Sequence, residues 1–469
     1  MNKKIYDFII IGSGPAGSTL AFNLANQNYR IALVDRATNI KKKSDKNDFI
    51  FSPYINNCPN YYSPLFSNQL GGNSALWNNK IYLISKEEFN SSSWPFSYTE
   101  LVKYSKDLAK KFKINHRDIF KVENDKKLNY SFSLREKRLG NLFFFLKISQ
   151  FSNIDIFESS SPVSVNLNKN KKKIISITIN NINKKIYFDL HLKNALIFCA
   201  GGLGNANIIS NLFKKRPNII GKNLCDHPHI NLSNIKNDEA KTMFKFGKYF
   251  ISSANEKKEK NLFLKFDNYF LGTQLDFIPD PSRILKRVYI RFRSIVTKQI
   301  MSVIIKYYSL FVKIINKIFS ILNIKGKYSL EFFFSQKPNR SNSLILDSNK
   351  KDEYGLLKSN LNWKISDKDK KKFIEMINFL IGKNGKLLKR NKIKNINYNK
   401  ILVGLHPSCT TKVDKNIKKS CLNKNLKLNG YQNVYVCGSS VFNRNGFTNP
   451  TWTIMTLSNR LSSFLNKIF

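Results

Sequence analysis

Acidic residues are scarce in this chain: 31 Asp and Glu stand against 79 Lys and Arg, leaving a formal charge of +48. Such an imbalance invites a nucleic-acid or membrane-surface reading. The lysines, however, are strewn among Asn and Ile along the whole length, as in Asn168-Lys169-Asn170-Lys171-Lys172-Lys173. A general taste for Lys, Asn and Ile accounts for them, and no nucleic-acid partner is expected. Histidine is scarcer still, with five in all, so imidazole chemistry has few carriers. Six cysteines (Cys58, Cys199, Cys225, Cys409, Cys421, Cys437) form no CxxC pair. Several lie in apolar, strand-like runs and read as reduced, packed thiols of a cytoplasmic protein. No metal site is expected. No apolar run reaches the roughly twenty uncharged residues that a spanning helix needs. The apolar stretch 5–11 meets glycines at once, so it reads as a first strand and not as a secretory leader.

What is present is a globular composition, 42% hydrophobic and 13% aromatic over 469 residues, enough for two or three lobes around a large core. Residues 5–11 read as a buried parallel strand, 15–28 as a helix and 30–35 as the next strand, a βαβ unit. Two further strands of the same type are 194–200, ending at Gly201-Gly202, and 433–437, ending at Gly438. Strands so widely spaced imply one dinucleotide-binding domain interrupted by insertions. The expected class is α/β: a Rossmann-like dinucleotide-binding domain (1–80, 151–231 and 401–469) interleaved with an α+β substrate domain (81–150 and 232–400) built on an antiparallel sheet. Within the insertions, 80–150 reads as mostly helical, 155–190 alternates like antiparallel strands, and 367–382 reads as a helix. Residues 298–323 set Lys306, Lys313 and Lys317 near one face of an otherwise apolar helix. That pattern suits either a peripheral contact at the inner face of a membrane or a cap helix packed on its own lobe.

The glycine turn Gly12-Ser13-Gly14-Pro15-Ala16-Gly17 follows a buried strand and opens a helix, the context that gives a GxGxxG its meaning. Gly12 permits the tight turn, Gly14 lets a pyrophosphate approach the backbone, and Gly17 lets helix and strand pack closely. The helix start offers free N–H groups and the positive dipole end to phosphate. Asp35 stands eighteen residues after Gly17, where an acid would bond the ribose hydroxyls, with Arg36 beside it. The choice between NAD and FAD rests on the rest of the chain. A second glycine-led loop, Gly71-Gly72-Asn73-Ser74-Ala75-Leu76-Trp77-Asn78, is expected to lie too far along to touch the same turn.

That loop, the Gly12–Gly17 turn, Ala200-Gly201-Gly202-Leu203-Gly204, Gly221-Lys222-Asn223-Leu224-Cys225-Asp226-His227-Pro228 and the segment from His406-Pro407 to Asn449-Pro450 occur in one order over nearly the whole chain. Together they resemble the glucose-methanol-choline (GMC) oxidoreductases, which bind FAD; the 71–77 loop is most similar to that of the sugar-oxidising, pyranose-oxidase-like branch. The resemblance implies a cofactor set of Gly12, Gly14, Pro15, Ala16, Gly17, Asp35, Arg36, Gly72, Asn73, Ser74, Trp77, Asn78, Val163, Ala200, Gly201, Gly438, Ser439, Asn449, Pro450 and Thr451. Some relatives attach the flavin through a histidine before the tryptophan. That position is Leu76 here, which implies non-covalent FAD.

Oxidising an alcohol needs a group to take the hydroxyl proton as hydride leaves for flavin N5, and a neutral imidazole suits this. His406 follows the apolar run 401–405 and matches the family's catalytic histidine. Asn449 matches the second member of the pair, whose amide can donate to and accept from the substrate oxygen. Pro450 fits the first position of a helix over 450–465, whose N-terminus would stabilise negative charge on the flavin ring. His227 and His229 are expected to be structural residues near the cofactor, and His116 and His191 surface residues. The family usually carries glycine three residues after the catalytic histidine; here Cys409 stands there, which puts access to the flavin in doubt. The expected activity is FAD-dependent oxidation of a CH–OH group in a sugar or polyol, with a dehydrogenase preferred to an oxidase and the electron acceptor unread. The rival readings are a hydroxynitrile-lyase-type activity and a non-catalytic flavoprotein on the same fold.

Overall fold

The run at 5–11 becomes the central strand of a seven-stranded sheet because Phe8, Ile9, Ile10 and Ile11 are sealed on both faces, with exposures from 0 to 3%. Each such side chain contributes roughly 1.5–3 kcal/mol by leaving water. The computed structural model describes residues 4–37, 49–51, 55–57, 65–67, 69–75, 80–119, 122–123, 130–136, 139–235, 258–266, 269–278, 327–382, 406–447 and 449–469.

Strand Ile5–Ile11 pairs in parallel with Ile31–Val34 on one side and Ile186–Phe198 on the other. Ile154–Phe157 extends the parallel part beyond Ile31–Val34. Ile186–Phe198 has thirteen residues and, besides Ile5–Ile11, serves two more partners: its first half is antiparallel to Ile174–Asn181, and its end is parallel to Val434–Val436. The alternation at 155–190 therefore belongs to this first sheet, as a meander with Ser160–Leu167 at its edge. Helix Pro15–Ala25 stops three residues earlier than its apolar pattern suggests, and Asn28 takes a left-handed φ of 62°.

A second seven-stranded sheet is wholly antiparallel, in the order His229–Ile235, Lys327–Phe334, Tyr269–Ile278, Lys258–Phe266, Tyr130–Glu136, Lys80–Ile81, with Val122–Glu123 on Tyr130–Glu136. The stretch 80–150 is thus less helical than its sequence suggests: helices Lys86–Asn90, Tyr98–Lys111 and Leu142–Phe145 are joined there by three strands. Helix Asp367–Gly382 forms where its pattern placed it. The terminal helix Thr451–Ile468 is locked between two others. Asn23 Nδ2 donates to Asn459 Oδ1 at 3.1 Å, and Trp452 Nε1 donates to Ser105 Oγ at 2.9 Å. The segments 298–323 and 401–405 lie outside the described residues. Among the described residues no helix is long and apolar enough to cross a membrane. The chain is a mixed α/β protein of parallel and antiparallel sheets, as its pattern of elements predicts.

Candidate active site

Three glycines of the first turn are required for three different reasons. Gly12 has φ +102°, and a Cβ there would stand 2.7 Å from the Cys199 carbonyl oxygen. A Cβ on Gly17 would collide with the Gly12 carbonyl, so helix and strand touch through bare backbone. At Gly14 a Cβ would meet no protein atom within 4 Å, so whatever demands a glycine there is not the protein. Gly14 caps helix Pro15–Ala25 without a side-chain cap, and the first turn holds no acid. The early N–H groups are thus left for an anion. The open space at Gly14 and the uncapped helix start fit a pyrophosphate.

Asp35 braces this turn: Oδ2 accepts from the Ser13 N–H, and Oδ1 accepts from Ala37 N–H at 2.7 Å. Arg36 turns inward. Its guanidinium bonds Asp352 at 2.7 Å and Ser161 at 2.9 and 3.1 Å, and lies 4.5 Å from the centre of the Tyr354 ring.

The second glycine loop reaches the first, contrary to the expectation from its distance along the chain. Gly71 N–H donates to Ser13 Oγ at 2.9 Å, and a Cβ on Gly72 would stand 3.2 Å from Gly14 Cα. The 3-10 turn Gly72–Ala75 folds the loop back, with Ser74 Oγ donating to Gly71 O at 2.6 Å and accepting from Leu142 N–H at 3.0 Å. Asn73 is exposed and its Oδ1 accepts from Ser67 N–H at 3.0 Å. Leu76, Trp77 and Asn78 lie outside the described residues. Val163, half-buried, sits at the register shift of Ser160–Leu167 and packs on the core.

A third cluster gathers at Ala200 and Gly201, where another helix starts without a side-chain cap and Gly201 takes φ +77°. Buried Asn205 organises it: Oδ1 accepts from Ala200 N–H at 2.7 Å, while Nδ2 donates to Cys437 O and Ser440 Oγ at 3.0 and 2.9 Å. Gly438, at φ +121°, leads into Ser439, whose Oγ donates to Pro407 O at 2.8 Å. A Cβ on Gly202 would strike that same Pro407 carbonyl. The His406 loop is therefore pressed against this helix start.

Asp226 then fixes the imidazoles. Its Oδ1 accepts from His406 N–H at 3.1 Å and from His227 N–H at 2.6 Å. Backbone bonds between Cys225 and Ser408, at 3.1 and 2.9 Å, tie the two segments together. The rings of His227 and His406 lie 5.3 Å apart, inclined by 28°, with their Nδ1 atoms 3.1 Å from each other. Burial, with a smaller contribution from His229, lowers His406 to about 4, so its imidazole is neutral at ordinary pH. Burial also holds His227 well below the usual histidine range, assisted by His406 and His229. His116 and His191 are half-buried, and burial lowers His116 to about 4.

Asn449 is half-buried and immediately precedes Pro450, which is the N-cap residue of Thr451–Ile468 rather than its first helical residue. Thr451 is buried, and Thr453 Oγ1 accepts from Ile84 N–H at 3.0 Å. The segment leading to Asn449 is joined to the histidine loop, since Asn445 Nδ2 donates to His406 O at 3.2 Å. It is also held from below by Glu88, whose Oε1 accepts from Phe447 N–H at 3.0 Å. Burial pushes Glu88 up to about 7, opposed by the Phe447 N–H and the Arg444 charge. Arg444 itself donates to Ser91 and Ser335 hydroxyls, both at 2.9 Å.

Residues 338–458 match the family model described as GMC oxidoreductase. The matched stretch carries His406, Asn449 and the Gly438 turn. The whole structure is similar to a crystal structure of formate oxidase, with a TM-score of 0.65 and 13% identity over 100% of this chain and 99% of that one. It is likewise similar to variants of Aspergillus oryzae formate oxidase made to study FAD modification, with a TM-score of 0.64 at 13% identity and the same coverage. No curated protein matches the sequence. Sequence reasoning missed Asp226, Asn205, Asn445 and Glu88 as organisers of the site. The Asn-Leu-x-Asp-His-Pro segment was a usable signal for the first; the others are ordinary residues whose role arises only from packing.

Proposed function

We propose that this chain is an FAD-dependent oxidoreductase that oxidises a CH–OH group, with His406 as the base. The observation that carries the reading is a neutral, backbone-anchored His406 on a loop pressed against the same helix start, 200–202, that adjoins the glycine turn. FAD would be held without a covalent bond by the Gly12–Gly17 turn, the Gly72–Ser74 loop, Ala200-Gly201 and Gly438-Ser439, and when bound it supplies the hydride acceptor. His406 takes the hydroxyl proton, which raises the hydride-donating power of the alcohol carbon. Asn449 orients the hydroxyl through its amide. The uncapped start of Thr451–Ile468 places partial positive charge where negative charge develops. A sugar or polyol is the proposed substrate class, with a dehydrogenase preferred and the electron acceptor left to experiment.

The test is anaerobic addition of sugars, polyols and formate, followed through flavin absorbance. A substrate should bleach the oxidised band stoichiometrically, which a lyase or a non-catalytic flavoprotein would not do. Readmitting air then separates an oxidase from a dehydrogenase. His406→Ala should retain FAD and reduce it roughly 10² to 10⁴ times more slowly. Reduction by His406→Ala at the wild-type rate would overturn the role given to the imidazole. The acid limb of the wild-type profile should lie near pH 4, because the neutral base is lost only there.

A further inference from the structure

The contact between the two imidazoles has a logic independent of any substrate. At 3.1 Å, two Nδ1 lone pairs cannot face each other, nor can two N–H groups. One proton must sit between them. If His227 carries it, His406 has its proton on Nε2 and cannot act there as a base. If His406 carries it, the lone pair of His406 stands on Nε2. Four features hold the pair in register: the shared Asp226 Oδ1, the Cys225–Ser408 backbone bonds, the near-parallel rings, and Phe333, whose ring lies 5.2 Å from that of His227. His227 Nε2 is buried and has no hydrogen-bond partner among the described residues. A base at His406 requires the second arrangement, in which His227 carries its own proton on Nε2. A proton on His227 Nε2 leaves its Nδ1 as the acceptor.

We propose that His227 is a positioning residue that sets the tautomer of His406, accepting its Nδ1–H and leaving the lone pair on Nε2 for the substrate proton. A carboxylate often plays this part behind a catalytic histidine; here the acceptor is a second, neutral imidazole. The difference has a consequence for charge. When His406 takes a proton at Nε2, its Nδ1–H can pass toward His227 Nδ1, so the positive charge spreads over two rings. The titratable groups beside this pair are His229, which burial lowers and so keeps neutral, and Asp226, which spends Oδ1 on the two backbone N–H groups.

The inference rests on His406 as the base but is tested without turnover. Nitrogen NMR of the FAD-loaded protein carrying labelled histidine resolves five residues, and His406→Ala assigns the signal. His406 in the wild type should show a protonated Nδ1 and an unprotonated Nε2. His227→Phe should shift it toward the Nε2–H tautomer and slow flavin reduction about 10²-fold with little change in KM. His227→Asn, whose Oδ1 can accept near the position of Nδ1, should restore the tautomer and most of the rate. An Nε2–H tautomer in the wild type, or a tautomer unmoved by His227→Phe, would overturn the proposal. The wild-type spectrum decides the first point even if the phenylalanine variant does not fold. A confirmed tautomer with no alcohol bleaching the flavin would sink the proposed function and leave the pairing intact.

Discussion

The glycine turn at 12–17 and the histidine loop at 406–411 face the same region and are held by opposite means. The turn is shaped by missing side chains: Gly12 and Gly17 let backbone meet backbone, and Gly14 faces open space. The histidine loop is shaped by side chains reaching in from elsewhere, namely Asp226, Asn445, Ser439 and His227. The first is a device written within one six-residue window, 12–17. The second is a convergence of four segments separated by up to 180 residues. A cradle for a constant chemical group can be written locally, whereas a reactive group needs a surround that controls its proton.

The contrast is broken most directly at the glycines. Gly14→Val should abolish FAD binding while the apo protein keeps its fold, because a Cβ at Gly14 meets nothing in the protein and its φ of −60° suits an L residue. Gly17→Ala should instead prevent folding, since its Cβ collides with the Gly12 carbonyl. Flavin retention and circular dichroism on both variants separate the two effects. A folded Gly14→Val with a full complement of FAD would mean that the cofactor lies elsewhere.

A smaller effect sharpens the electrostatic side of the comparison. Glu88 sits under the loop that leads to Asn449, and burial has raised it from 4.5 to about 7. A carboxyl raised on folding favours the native state below its unfolded value, and that contribution is lost as pH rises through 7. His406 acts in the other sense: lowered to about 4, it favours the native state above 6.5, and the contribution is lost as pH falls toward 4. Glu88→Gln keeps an oxygen for the Phe447 N–H but removes the charge. It should therefore gain up to roughly 3 kcal/mol relative to wild type on going from pH 4.5 to pH 8. Urea unfolding at the two pH values measures this. A gap that does not change with pH would mean that Glu88 ionises freely.

The parallel strands were legible in the sequence because 5–11 and 194–198 are apolar without alternation, the mark of a strand buried on both faces. The meander at 155–190 was seen as strands within the stretch given to the dinucleotide-binding domain, but its pairing was not, since alternation alone is compatible with either sheet. Strand Tyr130–Glu136 was missed. It lies in a Lys-rich stretch, and its place is fixed by pairing with Lys258–Phe266, far along the chain. His406 could be singled out among five histidines, whereas its pairing with His227 could not. A hydrogen bond across 179 residues leaves no local pattern, and His227 looks like one member of a turn segment. The reach of Gly71 and Gly72 to the first turn was misjudged for the same reason, because separation in sequence says little about separation in space.

Cys409 gives the least effect and the finest test of how the loop is built. It takes φ +70° in the left-handed region that favours glycine. An L side chain there costs roughly 1–2 kcal/mol. Its thiol is free and fully buried, 3.4 Å from Ser408 Oγ and hydrogen-bonded to the Cys225 thiol. The packing of the thiol offsets the backbone cost, so Cys409→Gly should fall within about 1 kcal/mol of wild type. Cys409→Val should be clearly worse, because a β-branched residue fits the left-handed region poorly. The doubt raised by this cysteine in the sequence was that a side chain larger than hydrogen would narrow access to the flavin. A thiol with no exposed surface, packed against Cys225, points into the protein instead. Flavin reduction by Cys409→Gly should then match the wild type for large and small alcohols alike. A gain confined to the larger substrates would show that the thiol does guard the entrance, and that the loop, not the glycine turn, limits what this site accepts.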